Sequence, residues 1–194
     1  ARLAKWELWN GALSRHQIDP ALLPDRISGF APAMRTICQS YAQSKGASVW
    51  GCKSPSYYDR LNLLAKTFPD AKFIIIWRNL EGICQSIERA AKHGSWFAQP
   101  GMHLRAILGY RRLKVETDRL VDQGHDVHEL HYEELTQNTS ASMEWICNFL
   151  NLPFDPKMTS LDDADRSAVY PAEHHAMLHG ATVVAPGRQA SVLP

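Results

Sequence analysis

The chain has 194 residues, 45% of them apolar, enough for one globular domain over 1–194 with a sizeable core. Its 21 basic and 20 acidic side chains leave a formal charge of +1, which excludes general attraction to nucleic acid or anionic membrane and makes any anion recognition local. No apolar run reaches the ~20 residues that cross a bilayer, and the opening ARLAKWELWNGALSRHQ lacks the apolar centre of a secretion signal. Cys38, Cys52, Cys84 and Cys147 form no C-x-x-C pair and no zinc-type spacing, so they read as buried free thiols in a reducing, cytoplasmic compartment.

Pro20, Pro24 and the Gly29–Pro32 stretch break the first 35 residues into short helices and loops. From Ala33, Met34, Ile37, Cys38 and Tyr41 share a helical face, with Gly46 as the stop signal. ASVWGCK is a short predicted strand ending near Lys53. In SPSYYDRLNLLAKTFPDA, the residues Tyr58, Leu61, Leu64, Ala65 and Phe68 predict an amphipathic helix closed by a Pro-Asp turn. KFIIIW follows as a strand, and its run of consecutive apolar residues suits the centre of a parallel sheet covered on both faces.

A helix is expected at about 81–92, then a loop at SWFAQPGMH. A long helix comes next, with Leu108, Leu113, Leu120 and Val121 inward and Gly124 at its end. DVHELHY is another strand. TSASMEWICNFLNL is a helix capped by Thr139 or Ser140, with Met143, Ile146, Cys147 and Leu150 on its buried face, and Pro153 stops it. The tail from Lys157 has no firm period. Strands and helices alternate at βαβ spacing, so the fold class is α/β, a parallel sheet with crossover helices on both faces.

Ligands of open parallel sheets bind at the carboxyl ends of the strands, where loops enter helix N-termini. Lys53 and Arg78 fall at such ends. Arg78 leads into NLEG and a helix whose first N–H groups and positive dipole end face the same crevice. The guanidinium fork can pair two phosphate oxygens, and Ser86, eight residues on, offers a neutral donor. The plainer reading pairs Arg78 with Glu81 and lets Ser86 bond its own helix backbone.

The block WGCKSPSYYDRLNLLAKTFPDAKFIIIWRNLEGICQSI resembles a segment of the PAPS-dependent sulfotransferases, in which lysine, a small residue and proline lead through a helix to a strand, an arginine and a serine. LHYEELTQNTSASMEWICNFLNLPFDP continues the likeness, which spans about residues 50–156. The resemblance implies a sulfotransferase with the sheet architecture of P-loop nucleotide-binding proteins. Such an enzyme moves a sulfuryl group from 3'-phosphoadenosine 5'-phosphosulfate to a hydroxyl or amine of a small molecule or glycan, with no catalytic metal. By the same resemblance Arg78 and Ser86 bind the 3'-phosphate and Tyr132 lies near the adenine, although a strand-end tyrosine also fills core space. Lys53 approaches the transferring sulfuryl group, and Gly187 and Arg188 weakly match a closing C-terminal loop.

The family's Gly-rich phosphate loop is not found. GASVWGCKS comes near the pattern, but Cys52 separates Gly51 from Lys53 and Val49–Trp50 reads as strand. The expectation is therefore that this loop precedes residue 1, in a truncated or split sequence, or that the donor site has degenerated. A sheet open at its centre then needs a second copy or a complementing segment. Cys52 stands where an acid is often found, which leaves His93 as the candidate general base. His174, His175 and His179 lack an assignable further ligand and read as surface residues, and RRLK reads as a solvated helix face. The alternative function is a non-catalytic nucleotide-binding or interaction module that kept the 3'-phosphate grip.

Overall fold

The computed structural model describes residues 29–92 and 96–160. They fall into two compact units divided between Tyr57 and Tyr58. In the first, helix α1 spans Phe30–Ser44. Its end is fixed by Gly46 at φ 68°, whose N–H donates to Gln43 O at 3.0 Å while the Ala47 N–H donates to Ala42 O at 2.8 Å. That double closure needs a left-handed residue, which glycine supplies without steric cost. Met34, Ile37, Cys38 and Tyr41 are half-buried, and Ala33 and Ala42 are buried.

The strand expected at ASVWGCK does not form: residues 47–54 are irregular backbone. Val49 and Trp50 are the only large apolar residues there, and Gly51 interrupts them before a buried strip can develop. The segment is anchored at its end, where Ser54 accepts the Tyr57 N–H on its carbonyl at 3.1 Å and the Ser56 N–H on its hydroxyl at 3.3 Å. A 3-10 turn over Pro55–Asp59 follows.

The second unit holds α2 (Leu61–Thr67), β1 (Phe73–Trp77), α3 (Leu80–Ala91), α4 (Met102–Asp122), β2 (Val127–His131), α5 (Tyr132–Gln137) and α6 (Thr139–Leu150). The strands pair in parallel, Phe73 opposite Val127 and Trp77 opposite His131, with α3 and α4 in the crossover between them. This is a mixed α/β arrangement on a two-stranded parallel sheet.

Side chains alternate across a strand, so the register sorts the faces. Phe73, Ile75 and Trp77 share a face with Val127, Glu129 and His131, and α4 lies over it: Tyr110 tilts against the Trp77 ring at 5.0 Å, and the Trp77 Nε1–H donates to Glu129 Oε2 at 2.7 Å. On the other face His128 stacks on Phe149 of α6 at 5.3 Å, and the Lys72 ammonium donates to Phe149 O. Helices thus flank both faces. β1 is nevertheless not covered on both sides along its length, because Ile76 is 51% exposed. Its apolar run signalled a two-sided burial that the described residues supply only at Ile74, which is half-buried.

The inward face of α4 differs from the expected one. Leu120 is fully buried and Leu113 half-buried, but Leu108 and Val121 are 54% and 51% exposed. Helical geometry places residues 113, 116, 117 and 120 on one stripe and turns 108 and 121 well off it. The stripe therefore buries Glu116 at 2% exposure, and its charge is met by Arg112 at 3.1 Å, Arg119 at 2.9 Å and the Asn62 N–H at 3.4 Å. A carboxylate is tolerated there because each of its oxygens has a donor. The same ion pair gives Arg112 of the RRLK run a partner, and Lys114 pairs with Asp118 at 2.6 Å.

The cap of α6 is also corrected. Asn138 occupies the cap position, while the Thr139 hydroxyl donates to Leu135 O at 2.9 Å and the Ser140 hydroxyl lies 3.4 Å from Glu144 Oε1. The helix ends on Asn151 in the left-handed region at φ 59°, one of the few side chains that visit it readily, with Pro153 just beyond. Among the described residues no helix is long and apolar enough to cross a membrane.

Candidate functional site

The carboxyl ends of β1 and β2 lie side by side, and the chain leaves each strand directly into a helix. Because Trp77 pairs with His131, the next residues, Arg78 and Tyr132, are brought together by register alone. The guanidinium carbon of Arg78 lies 4.4 Å from the centroid of the Tyr132 ring. A guanidinium held over an aromatic face keeps its edge N–H groups able to donate. Among the described residues no carboxylate forms an ion pair with Arg78, and Glu81 instead accepts a hydrogen bond from Gln85 at 3.0 Å.

One residue further, side chains continue the ladder. The Asn79 N–H donates to Glu133 Oε1 at 3.1 Å and the Asn79 amide donates to the same oxygen at 2.5 Å. The other end of the amide caps α3: Oδ1 accepts the Gly82 N–H at 2.6 Å. Asn79 therefore ties the start of α3 to the start of α5, and its three bonds fix the turn from which Arg78 projects. Partial burial pushes the Glu133 carboxyl up. The Asn79 N–H, its own backbone N–H, and the positive charges of Arg78 and His131 outweigh this and hold it below the usual carboxylate range.

Gly82 makes the arrangement sterically feasible. A Cβ there would lie 2.9 Å from Asn79 Oδ1 and 3.0 Å from Arg78 Nε. The arginine side chain thus passes close over the first turn of α3, where any side chain larger than glycine would push Asn79 Oδ1 and Arg78 Nε aside. Ser86 follows one turn above Gly82 on the same helical row, is half-buried, and makes no hydrogen bond among the described residues. Its hydroxyl is not spent on its own helix backbone, as the plainer reading required.

Arg78, Tyr132 and the helix bearing Ser86 are therefore gathered at one sheet end. Lys53 belongs to the other unit, exposed on the irregular segment just before the Ser54 anchor. His93, Gly187, Arg188 and the His174, His175 and His179 group lie outside the described residues. Sequence reasoning overlooked Asn79, Gly82 and Glu133. Their signals were present: an asparagine at a strand-to-helix junction is a capping signature, and a glycine inside the first helical turn costs stability unless something must approach it.

The cysteines depart from the expectation of burial. All four are unpaired, but only Cys147 is buried; Cys38 and Cys84 are half-buried and Cys52 is exposed.

Parallel strands carry at their carboxyl ends a guanidinium stacked on a tyrosine, the N-terminus of α3 and, one turn further on, a serine hydroxyl with no hydrogen bond among the described residues, an arrangement found where open α/β sheets take ligands. A sequence profile of the sulfotransferase family matches residues 2–156, and the chain belongs to that family. The match begins far upstream of residue 50, where the motif resemblance starts. No curated protein and no solved structure matches the chain. Family membership supports a transferase, with sulfuryl transfer as its general chemistry.

Proposed function

We propose that this protein transfers a sulfuryl group from 3'-phosphoadenosine 5'-phosphosulfate to a hydroxyl or amine of a small molecule or glycan. The observation that carries the reading is the Arg78 guanidinium, stacked 4.4 Å over Tyr132 and without an ion pair among the described residues, at the sheet end where α3 begins. In this reading Arg78 and Ser86 hold the 3'-phosphate and Tyr132 backs the arginine beside the adenine. Asn79, Gly82 and Glu133 keep the arginine in place. The family match crosses both compact units, which supports treating the chain as one sulfotransferase-like domain of P-loop type.

The chemical step follows from charge. The acceptor oxygen or nitrogen attacks sulfur in line as the bond from sulfur to the bridging phosphate oxygen breaks, and negative charge grows on that oxygen. Lys53 is the ammonium assigned to stabilise it. The acceptor proton passes to His93, whose neutral imidazole is a competent base near pH 7. Arg188 closes over the nucleotide. The two-stranded sheet of the described residues supports completion by a complementing segment or a second copy. Four unpaired thiols support a reducing, cytoplasmic setting.

The test is incubation of the protein with the donor and a panel of phenols, sugars and amines, following adenosine 3',5'-bisphosphate and sulfated product by mass. Stoichiometric appearance of both establishes transfer. Selective binding of the bisphosphate with no transfer to any acceptor assigns the chain to the non-catalytic nucleotide-binding alternative.

A further inference from the structure

Cys38, in α1, and Cys52, in the irregular segment that follows it, place their sulfurs 3.6 Å apart. The two are brought together within one unit, across 14 residues of sequence, and neither is needed as core filler: Cys38 is half-buried and Cys52 exposed. The other thiols differ. Cys84 has no sulfur contact among the described residues, and buried Cys147 donates to the thioether of Met158 at 3.6 Å, which cannot form a disulfide.

We propose that Cys38 and Cys52 are a reactive dithiol, in which Cys52 attacks a small-molecule disulfide such as oxidised glutathione and Cys38 resolves the mixed disulfide into an intrachain Cys38–Cys52 bridge.

The step balances. The Cys52 thiolate bonds to one sulfur of the small disulfide and expels the other as a thiolate, which takes up the proton lost by Cys52. The Cys38 sulfur then displaces the second small thiol and gives up its own proton to it. Two protein thiols are oxidised and one disulfide is reduced to two thiols. Bridging requires the sulfurs to close from 3.6 Å to about 2.05 Å, and the movement falls on residues 47–54, where no helical or strand hydrogen bonds resist it.

The assignment of roles agrees with the thiol acidities. The hydrogen bond from Cys38 draws the Cys52 thiol down to about 7, against the effect of its partial burial. The same bond, then burial and the Cys52 charge, push the Cys38 thiol up. Near neutral pH the exposed sulfur is thus the nucleophile and the half-buried one holds its proton until it resolves. The Tyr57 phenol, raised by burial and then by the charges of Cys52 and Cys38, belongs to the same cluster. Lys53 is the residue next to Cys52, so the bridge ties its segment to α1. Any consequence for turnover rests on the sulfuryl-transfer reading; the dithiol chemistry does not.

The experiment treats the full chain with oxidised glutathione at neutral pH, quenches with acid, alkylates the remaining thiols and maps peptides by mass. The expected result is loss of two hydrogen atoms per chain, a Cys38–Cys52 linked peptide, alkylated Cys84 and Cys147, and full reversal by dithiothreitol. Cys52 should react on the order of tenfold faster than Cys84. In Cys38→Ser a glutathione adduct should persist on Cys52. A wild-type chain in which Cys52 keeps a stable adduct while Cys38 stays alkylatable, in which Cys52 bridges to Cys84 or Cys147, or in which Cys52 does not react, overturns the proposal. The nucleotide plays no part in this readout, so its failure is separate from failure of the transferase reading.

Discussion

The sheet end that carries Arg78 and the segment that carries Lys53 position their charged groups by opposite means. Arg78 is held by regular structure: strand register sets it beside Tyr132, Asn79 bonds to Glu133 and caps α3, and Gly82 clears its path. Lys53 stands on backbone with no regular structure, between the Ser54 turn after it and the Cys38–Cys52 contact before it. A group that binds a ground-state phosphate gains from such preorganisation. In the proposed reading Lys53 also needs to be fixed to stabilise charge as it develops, so whatever orders its segment should bear on turnover.

Breaking the less rigid side should give the largest effect. Lys53→Ala is expected to lower kcat on the order of a hundredfold with the affinity for adenosine 3',5'-bisphosphate nearly unchanged, as for loss of a transition-state donor. Comparable losses in turnover and binding, measured by steady-state kinetics and calorimetry, would place Lys53 in ground-state binding instead. On the rigid side, Arg78→Ala should weaken bisphosphate binding by about 2–3 kcal/mol, the scale of a lost charge-assisted contact.

Gly82→Ala sharpens the comparison. The added Cβ must displace Asn79 Oδ1 and Arg78 Nε. We expect bisphosphate affinity to fall about tenfold while the thermal midpoint barely moves, because a weakened cap, ~1 kcal/mol, is offset by the better helix propensity of alanine. A large drop in the midpoint without a binding change would show that the close approach serves folding alone.

The smallest effect belongs to Glu133. Its carboxyl is held below the ordinary range, so its contribution to stability is fully present above the unfolded-state value and is lost as pH falls through the folded one. Glu133→Gln removes the ionisation and should flatten that part of the acid limb in denaturant titrations taken at a series of pH values. An unchanged limb would mean that the Asn79 bonds do not depend on the charge.

The sequence showed the strand at residues 73–77, the helices on either side of it and the position of Arg78 because these follow from local pattern: an apolar run before a charged residue, helical spacing after it, glycine stops at Gly46 and Gly124. It did not show Glu133 supporting Asn79, since that pairing exists only once strand register brings residues 54 apart in sequence into contact. Glu116 was missed for a related reason. Its burial is decided by the angle of α4 and by two arginines on the same helix, and charge alone had marked that surface as solvated. The expected strand at ASVWGCK failed because β propensity needs a neighbouring strand to become structure. The cysteines are free, as expected, but the expected burial holds only for Cys147, and the proximity of Cys38 and Cys52 could not be seen from residues 14 apart in sequence.

The most direct test of the anion grip is a calorimetric titration of the wild-type chain and Arg78→Ala with adenosine 3',5'-bisphosphate, using adenosine 5'-monophosphate as the control that lacks the 3'-phosphate. The account predicts that the wild type binds the bisphosphate more tightly than the monophosphate and that Arg78→Ala brings the two affinities together. Equal affinities in the wild type, or a preference that survives the substitution, would contradict it.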